Sequence, residues 1–128
     1  MKVVIDSNRA IAALIKDSTT REILFDSIFE FVAPSHITVE INTHKNTILQ
    51  KIGITENEFD ILLSLVFQHI KIIPQTEYNK FITKLKDEIK DPKDIPYIAA
   101  CFAAKAEGIW AHNPHFMEQK KAKVFTNS

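Results

Sequence analysis

Apolar positions along the chain fall into two alternating rhythms. Short aliphatic or aromatic runs of strand length occupy residues 2–5, 29–33, 70–73, 109–111 and 123–126. Between them, apolar residues recur every three or four positions, the period of an amphipathic helix. Helices are therefore expected over residues 8–16, 20–29, 35–51, 55–67, 76–89 and 94–107. The third carries a stripe of Ile37, Ile41, Ile48 and Ile52 and stops at Gly53, a residue suited to a left-handed C-terminal turn. The fourth opens on Thr55 with Glu58 three positions on, the spacing of a capping box. Pro34 and Pro74 are expected to close the second and third strands. The helix over 94–107 is apolar almost all round, which places it near the centre of the domain, and Gly108 is expected to end it.

Short apolar strands separated by helices, with no hairpin signals, predict a three-layer α/β/α fold around a five-stranded parallel sheet. In such a sheet the functional loops lie at the carboxyl ends of the strands, where the strand order reverses.

Composition narrows the class. At 128 residues, 45% hydrophobic and 25% charged, the chain reads as one soluble globular domain spanning residues 1–128. The opening Met1-Lys2-Val3-Val4-Ile5-Asp6 is too short for a signal sequence, and no apolar run approaches a membrane span. The single cysteine, Cys101, excludes an internal disulfide and disfavours a thiolate metal site. These features point to the cytoplasm. Sixteen basic residues balance sixteen acidic ones, which argues against a protein that simply coats nucleic acid. Lys80, Lys84, Lys86 and Lys90, and Lys120, Lys121 and Lys123, can still supply a basic rim, or simply solvated faces.

Three acids stand where this fold would turn them toward one cleft. Asp6 ends the first strand, in Val3-Val4-Ile5-Asp6-Ser7-Asn8; there it can face the cleft or cap the next helix. Glu40 falls at the border of the apolar stripe of its helix, with His44 one turn on. Asp94 opens the most apolar helix, because Pro96 must lie within the first helical turn. It sits at or beside the N-cap, where its charge also favours the helix dipole. Asp91 either caps the preceding turn or faces the cleft. His112-Asn113-Pro114-His115 reads as a polar loop rather than a zinc site, since no further ligands stand at a recognised spacing.

The combination resembles the PIN-domain nucleases, including the toxin ribonucleases of VapBC type. The resemblance rests on Val3-Val4-Ile5-Asp6-Ser7-Asn8, on Glu40, and on Asp91-Pro92-Lys93-Asp94-Ile95-Pro96-Tyr97-Ile98-Ala99-Ala100 followed by Gly108-Ile109-Trp110-Ala111-His112-Asn113-Pro114-His115-Phe116. It implies Mg²⁺ or Mn²⁺ in an acidic pocket, cleavage of single-stranded RNA, dimers and, in many members, an antitoxin partner. Asp6, Glu40 and Asp94 match the catalytic, metal-binding acids, with Ser7, Asn8, Asp91 and Asn113 as auxiliary groups. The chain departs from the pattern after its fourth strand. Many relatives have Thr or Ser and then Asp two positions later; here stand Ala111 and Asn113, which removes one negative charge.

The electrostatics favour a cation. Two carboxylates ~5 Å apart repel by roughly 3 kcal/mol at an effective dielectric of about 20. Three together need a cation or raised pKa values at neutral pH, and Mg²⁺ prefers oxygen ligands. The alternative is a catalytically weakened PIN-like platform that binds RNA or protein. A haloacid-dehalogenase-like phosphatase would need a second Asp where Asn8 stands, and a phospho-acceptor receiver an Asp where Ile73-Pro74 ends the third strand.

Overall fold

The computed structural model describes residues 1–15, 18–111 and 122–126. Five parallel strands, β1 (Lys2–Ile5), β2 (Glu30–Pro34), β3 (Ile70–Ile73), β4 (Gly108–Trp110) and β5 (Val124–Phe125), form one sheet in the order β3-β2-β1-β4-β5. The chain leaves β1 toward β2 and β3, then returns to build β4 and β5 on the other side. The strand order thus reverses between β1 and β4, and the crevice beyond their carboxyl ends is the natural site of function.

The central strand shows why. Val3, Val4 and Ile5 are all buried, as are Phe31, Val32 and Ala33 of β2 and Ile109 and Trp110 of β4. Strands buried on both faces require helices on both sides. The helices are α1 (Ser7–Leu14), α2 (Ser18–Leu24), α3 (His36–Ile52), α4 (Glu56–Phe67), α5 (Gln75–Leu85) and α6 (Ile95–Ala104). α6 lies across β1, β2 and β4 with α5 beside it, while α1 packs against α2, α3 and α4. No helix among the described residues is long and apolar enough to cross a membrane.

Local signals account for several element ends. Gly53 terminates α3 with φ +65°. The Thr55 side chain accepts from the Glu58 N–H at 3.2 Å while Glu58 accepts from the Thr55 N–H at 3.1 Å. The C-terminus of α1 is held by Arg21, whose Nε donates to the Ala13 carbonyl at 2.6 Å. That bond anchors the helix whose other end carries the site.

Several boundaries differ from the sequence expectation. β2 starts at Glu30 and includes Pro34, which pairs with Ile73; a proline is tolerated at a strand end because the next donor, the Ser35 N–H, reaches the Ile73 carbonyl at 2.9 Å. Phe29 instead packs its ring against Phe31. The second helix ends at Leu24, and α5 at Leu85. Gly108 does not end α6: Lys105 does, with φ 54°, as the Ala106 N–H closes back on the Cys101 carbonyl at 3.0 Å. Gly108 opens β4, where close approach of β5 leaves no room for a side chain.

Candidate active site

One polar cleft of about 240 Å³ opens at the carboxyl end of the sheet, lined by Asp6, Ser7, Asn8, Glu40, His44, Asp91, Lys93, Asp94 and Tyr97. The three acids singled out in the sequence all face it. Each arrives from a different element.

Asp6 comes directly off β1. Its backbone N–H still reaches the Trp110 carbonyl at 3.3 Å, so the β1–β4 ladder runs into the site. The side chain caps α1, accepting from the Arg9 N–H at 2.9 Å. The two readings of this residue, cap and cleft acid, are therefore both realised. Asp6 is 2% exposed. Burial, the dominant influence, pushes its carboxyl up to about 7; the Arg9 N–H bond and the Arg9 charge oppose this, while the charges of Glu40 and Asp94 add to it.

Asp94 is placed by backbone geometry. Its N–H donates to the Asp91 carbonyl and its own carbonyl accepts from the Tyr97 and Ile98 N–H groups, starting α6 with Pro96 inside the first turn. Although it stands at the N-cap, its side chain does not cap the helix. It is turned into the cleft, 3% exposed. Asp91 performs the local duty, accepting from the Lys93 N–H at 3.0 Å, and also lines the cleft.

Glu40 projects from α3 and is held by two hydroxyls. Tyr97 donates to Oε1 at 2.5 Å and Ser7 donates to Oε2 at 3.1 Å, with His36 Nε2 3.6 Å from Oε1. Ser7 is thus a partner of Glu40. Asn8 is exposed on the cleft wall, and His44 lines it without a bond to the acids. Asn113, with the rest of the loop over 112–116, lies outside the described residues. Ala111, which precedes it, is fully buried and donates its N–H to the Phe125 carbonyl.

Two members of the site were not anticipated as such. Tyr97 reads in sequence as one more apolar residue of α6, yet a buried tyrosine hydroxyl must find a partner. Lys93 is a cation inside the Asp91–Asp94 turn, and it faces the cleft.

The donor set suits a hard divalent cation: its acids offer oxygens, and burial makes one of those carboxyls resist ionisation. Among the described residues, no three His, Cys, Asp or Glu side chains stand close enough together to hold an ion directly. Mg²⁺ commonly keeps several waters and takes only one or two carboxylates. The cleft fits such a hydrated ion better than a dehydrated one.

A model of the family described as PIN domain matches residues 4–124. The fold is similar to a chain in the crystal structure of VapBC2 from Rickettsia felis bound to a DNA fragment from their promoter, with a TM-score of 0.72, 15% sequence identity and 98% of each chain covered. Among curated proteins, none matches the chain.

Proposed function

Because this chain belongs to the PIN-domain family, we propose that it is a metal-dependent endoribonuclease, a hydrolase that cuts phosphodiester bonds of single-stranded RNA in the cytoplasm. We assign it the role of toxin in a toxin–antitoxin pair, acting as a homodimer. The observation that carries the reading is the meeting of Asp6, Glu40 and Asp94, from three separate elements, in one cleft at the reversal of strand order. The fold likeness to a VapBC2 chain supports the antitoxin partner.

Asp6 and Asp94 would hold Mg²⁺ or Mn²⁺, with Glu40 reaching it directly or through water. Bound there, the ion supplies a Lewis acid for a phosphate oxygen and lowers the pKa of a water. The chain's own residues do the rest. The Arg9 N–H holds one oxygen of Asp6 in place. Ser7 and Tyr97 hold Glu40. Lys93 offers a positive charge to an entering phosphate at the edge of an otherwise acidic cleft. Asp6 and Asp94 form a buried floor, where electrostatic interactions are stronger than at an exposed surface.

The test is incubation of the purified chain with single-stranded RNA and Mn²⁺. Cleavage that chelation abolishes, and that Asp6→Asn and Asp94→Asn each abolish, is expected. Cleavage surviving in both variants contradicts the reading. A second reading rests on Ala111, whose buried methyl stands where the resemblance leads one to expect a hydroxyl: an RNA- or protein-binding platform with weakened catalysis. RNA binding without cleavage, unchanged in both variants, is its signature.

A further inference from the structure

We propose that Tyr97 is a positioning residue of the metal site, its hydroxyl tying Glu40 of α3 to the helix that carries Asp94. This rests on the proposed metal-dependent reading and extends it to a residue outside the acidic set.

The three acids differ in the elements that carry them. Asp6 and Asp94 leave the backbone at element junctions, with short side chains and little freedom. Glu40 sits inside a helix and must span the cleft on a longer, more flexible side chain, whose fixing costs conformational entropy. Its two oxygens are held separately. Ser7, adjacent to Asp6, donates to Oε2; Tyr97, three residues beyond Asp94, donates to Oε1. Each hydroxyl thus belongs to the helix of another acid, and Glu40 is referenced to both.

Tyr97 is suited to the task. It is 2% exposed, packed in the first turn of α6, so its ring has no freedom to follow Glu40 if Glu40 moves. A phenol is protonated at physiological pH and so has a proton to donate to Glu40. A carboxylate offers about four acceptor sites, so one hydroxyl on each oxygen leaves lone pairs for an ion or its water. Groups that orient a metal ligand in this way are worth roughly 10- to 100-fold in metal affinity.

The experiment is calorimetric Mn²⁺ binding to the wild type, Tyr97→Phe and Ile98→Val. Tyr97→Phe keeps the ring and removes only the hydroxyl; Ile98→Val changes packing at a neighbouring buried position of the same helix. Expected is Mn²⁺ affinity lowered roughly 10- to 100-fold in Tyr97→Phe and unchanged in Ile98→Val, with RNA cleavage by Tyr97→Phe restored at high Mn²⁺. Equal affinity in Tyr97→Phe and the wild type overturns the proposal while leaving the metal site standing, as does an equal loss in Ile98→Val. A wild type that binds no Mn²⁺ overturns the metal-dependent reading itself, and this inference with it.

Discussion

Asp6 and Arg9 are joined across the first turn of α1: the Arg9 backbone N–H donates to Asp6 Oδ1 at 2.9 Å, while the guanidinium carbon lies 5.9 Å from the centre of the Trp110 ring. The buried cation and the N–H both favour the ionised carboxyl, yet burial outweighs them and holds Asp6 at about 7. The native state therefore binds this proton more tightly than the unfolded chain. Its stabilising contribution is complete below the ordinary value of 3.8 and is lost as pH rises through about 7. Asp6→Asn retains an oxygen for the Arg9 N–H and carries no charge. It should be more stable than the wild type at pH 8, by at most about 4 kcal/mol, with the gap shrinking steadily as pH falls from about 7 toward the ordinary value of 3.8. Thermal unfolding across pH 5–8 measures this; parallel curves for the two proteins would contradict it. Added Mn²⁺ should raise the wild-type midpoint at pH 8 and leave the variant's nearly unmoved.

Lys93 is exposed on the cleft wall, in the turn between Asp91 and Asp94. Its removal should weaken the hold on RNA without disturbing the chemistry. Lys93→Ala is expected to raise KM roughly fivefold, the equivalent of about 1 kcal/mol, with kcat little changed and a shallower dependence on salt. Steady-state kinetics at two ionic strengths would show it. A fall in kcat with KM constant would place Lys93 in the reaction step instead.

Gly108 opens β4 against β5. A β-carbon there would lie 2.6 Å from Phe125 Cε2 and 2.7 Å from the Lys123 carbonyl oxygen. One of these neighbours is backbone and cannot yield easily. Gly108→Ala should cost about 1–3 kcal/mol and lower the midpoint by several degrees in scanning calorimetry. A midpoint unchanged from the wild type would mean that β5 does not dock this tightly.

Thr55 and Glu58 satisfy one another's backbone at the start of α4, remote from the cleft. Thr55→Ala should destabilise by about 1 kcal/mol, read by denaturant unfolding, with RNA cleavage unaltered. Loss of cleavage in a folded variant would show that α4 reaches the site by a route not evident in the contacts.

What could be read from the residues alone follows how locally each feature is decided. The strand over 70–73 and the capping box at Thr55 agree with the structure to the residue, because β-branched composition and cap chemistry act within a few positions. The parallel sheet follows from the alternation of strand and helix periods. The end of α6 does not: lysine carries no signal for positive φ, and Lys105 adopts it because the chain must turn back into β4. The acids were legible as candidates, and Asp94 shows the limit. A local rule would have it cap α6, whereas Asp91 makes the local turn and Asp94 faces the cleft. Tyr97 was hidden for a related reason: its ring obeys the apolar pattern of α6, and only the approach of α3 gives its hydroxyl a purpose.

On the proposed reading, Asp6, Glu40 and Asp94 share one divalent ion. Crystals grown with Mn²⁺, measured at the manganese absorption edge, test it most directly. An anomalous peak in the cleft, about 2.1 Å from an oxygen of Asp6 or Asp94 and within one water of Glu40, is the predicted result. A peak bound elsewhere, or none at saturating Mn²⁺, would contradict it.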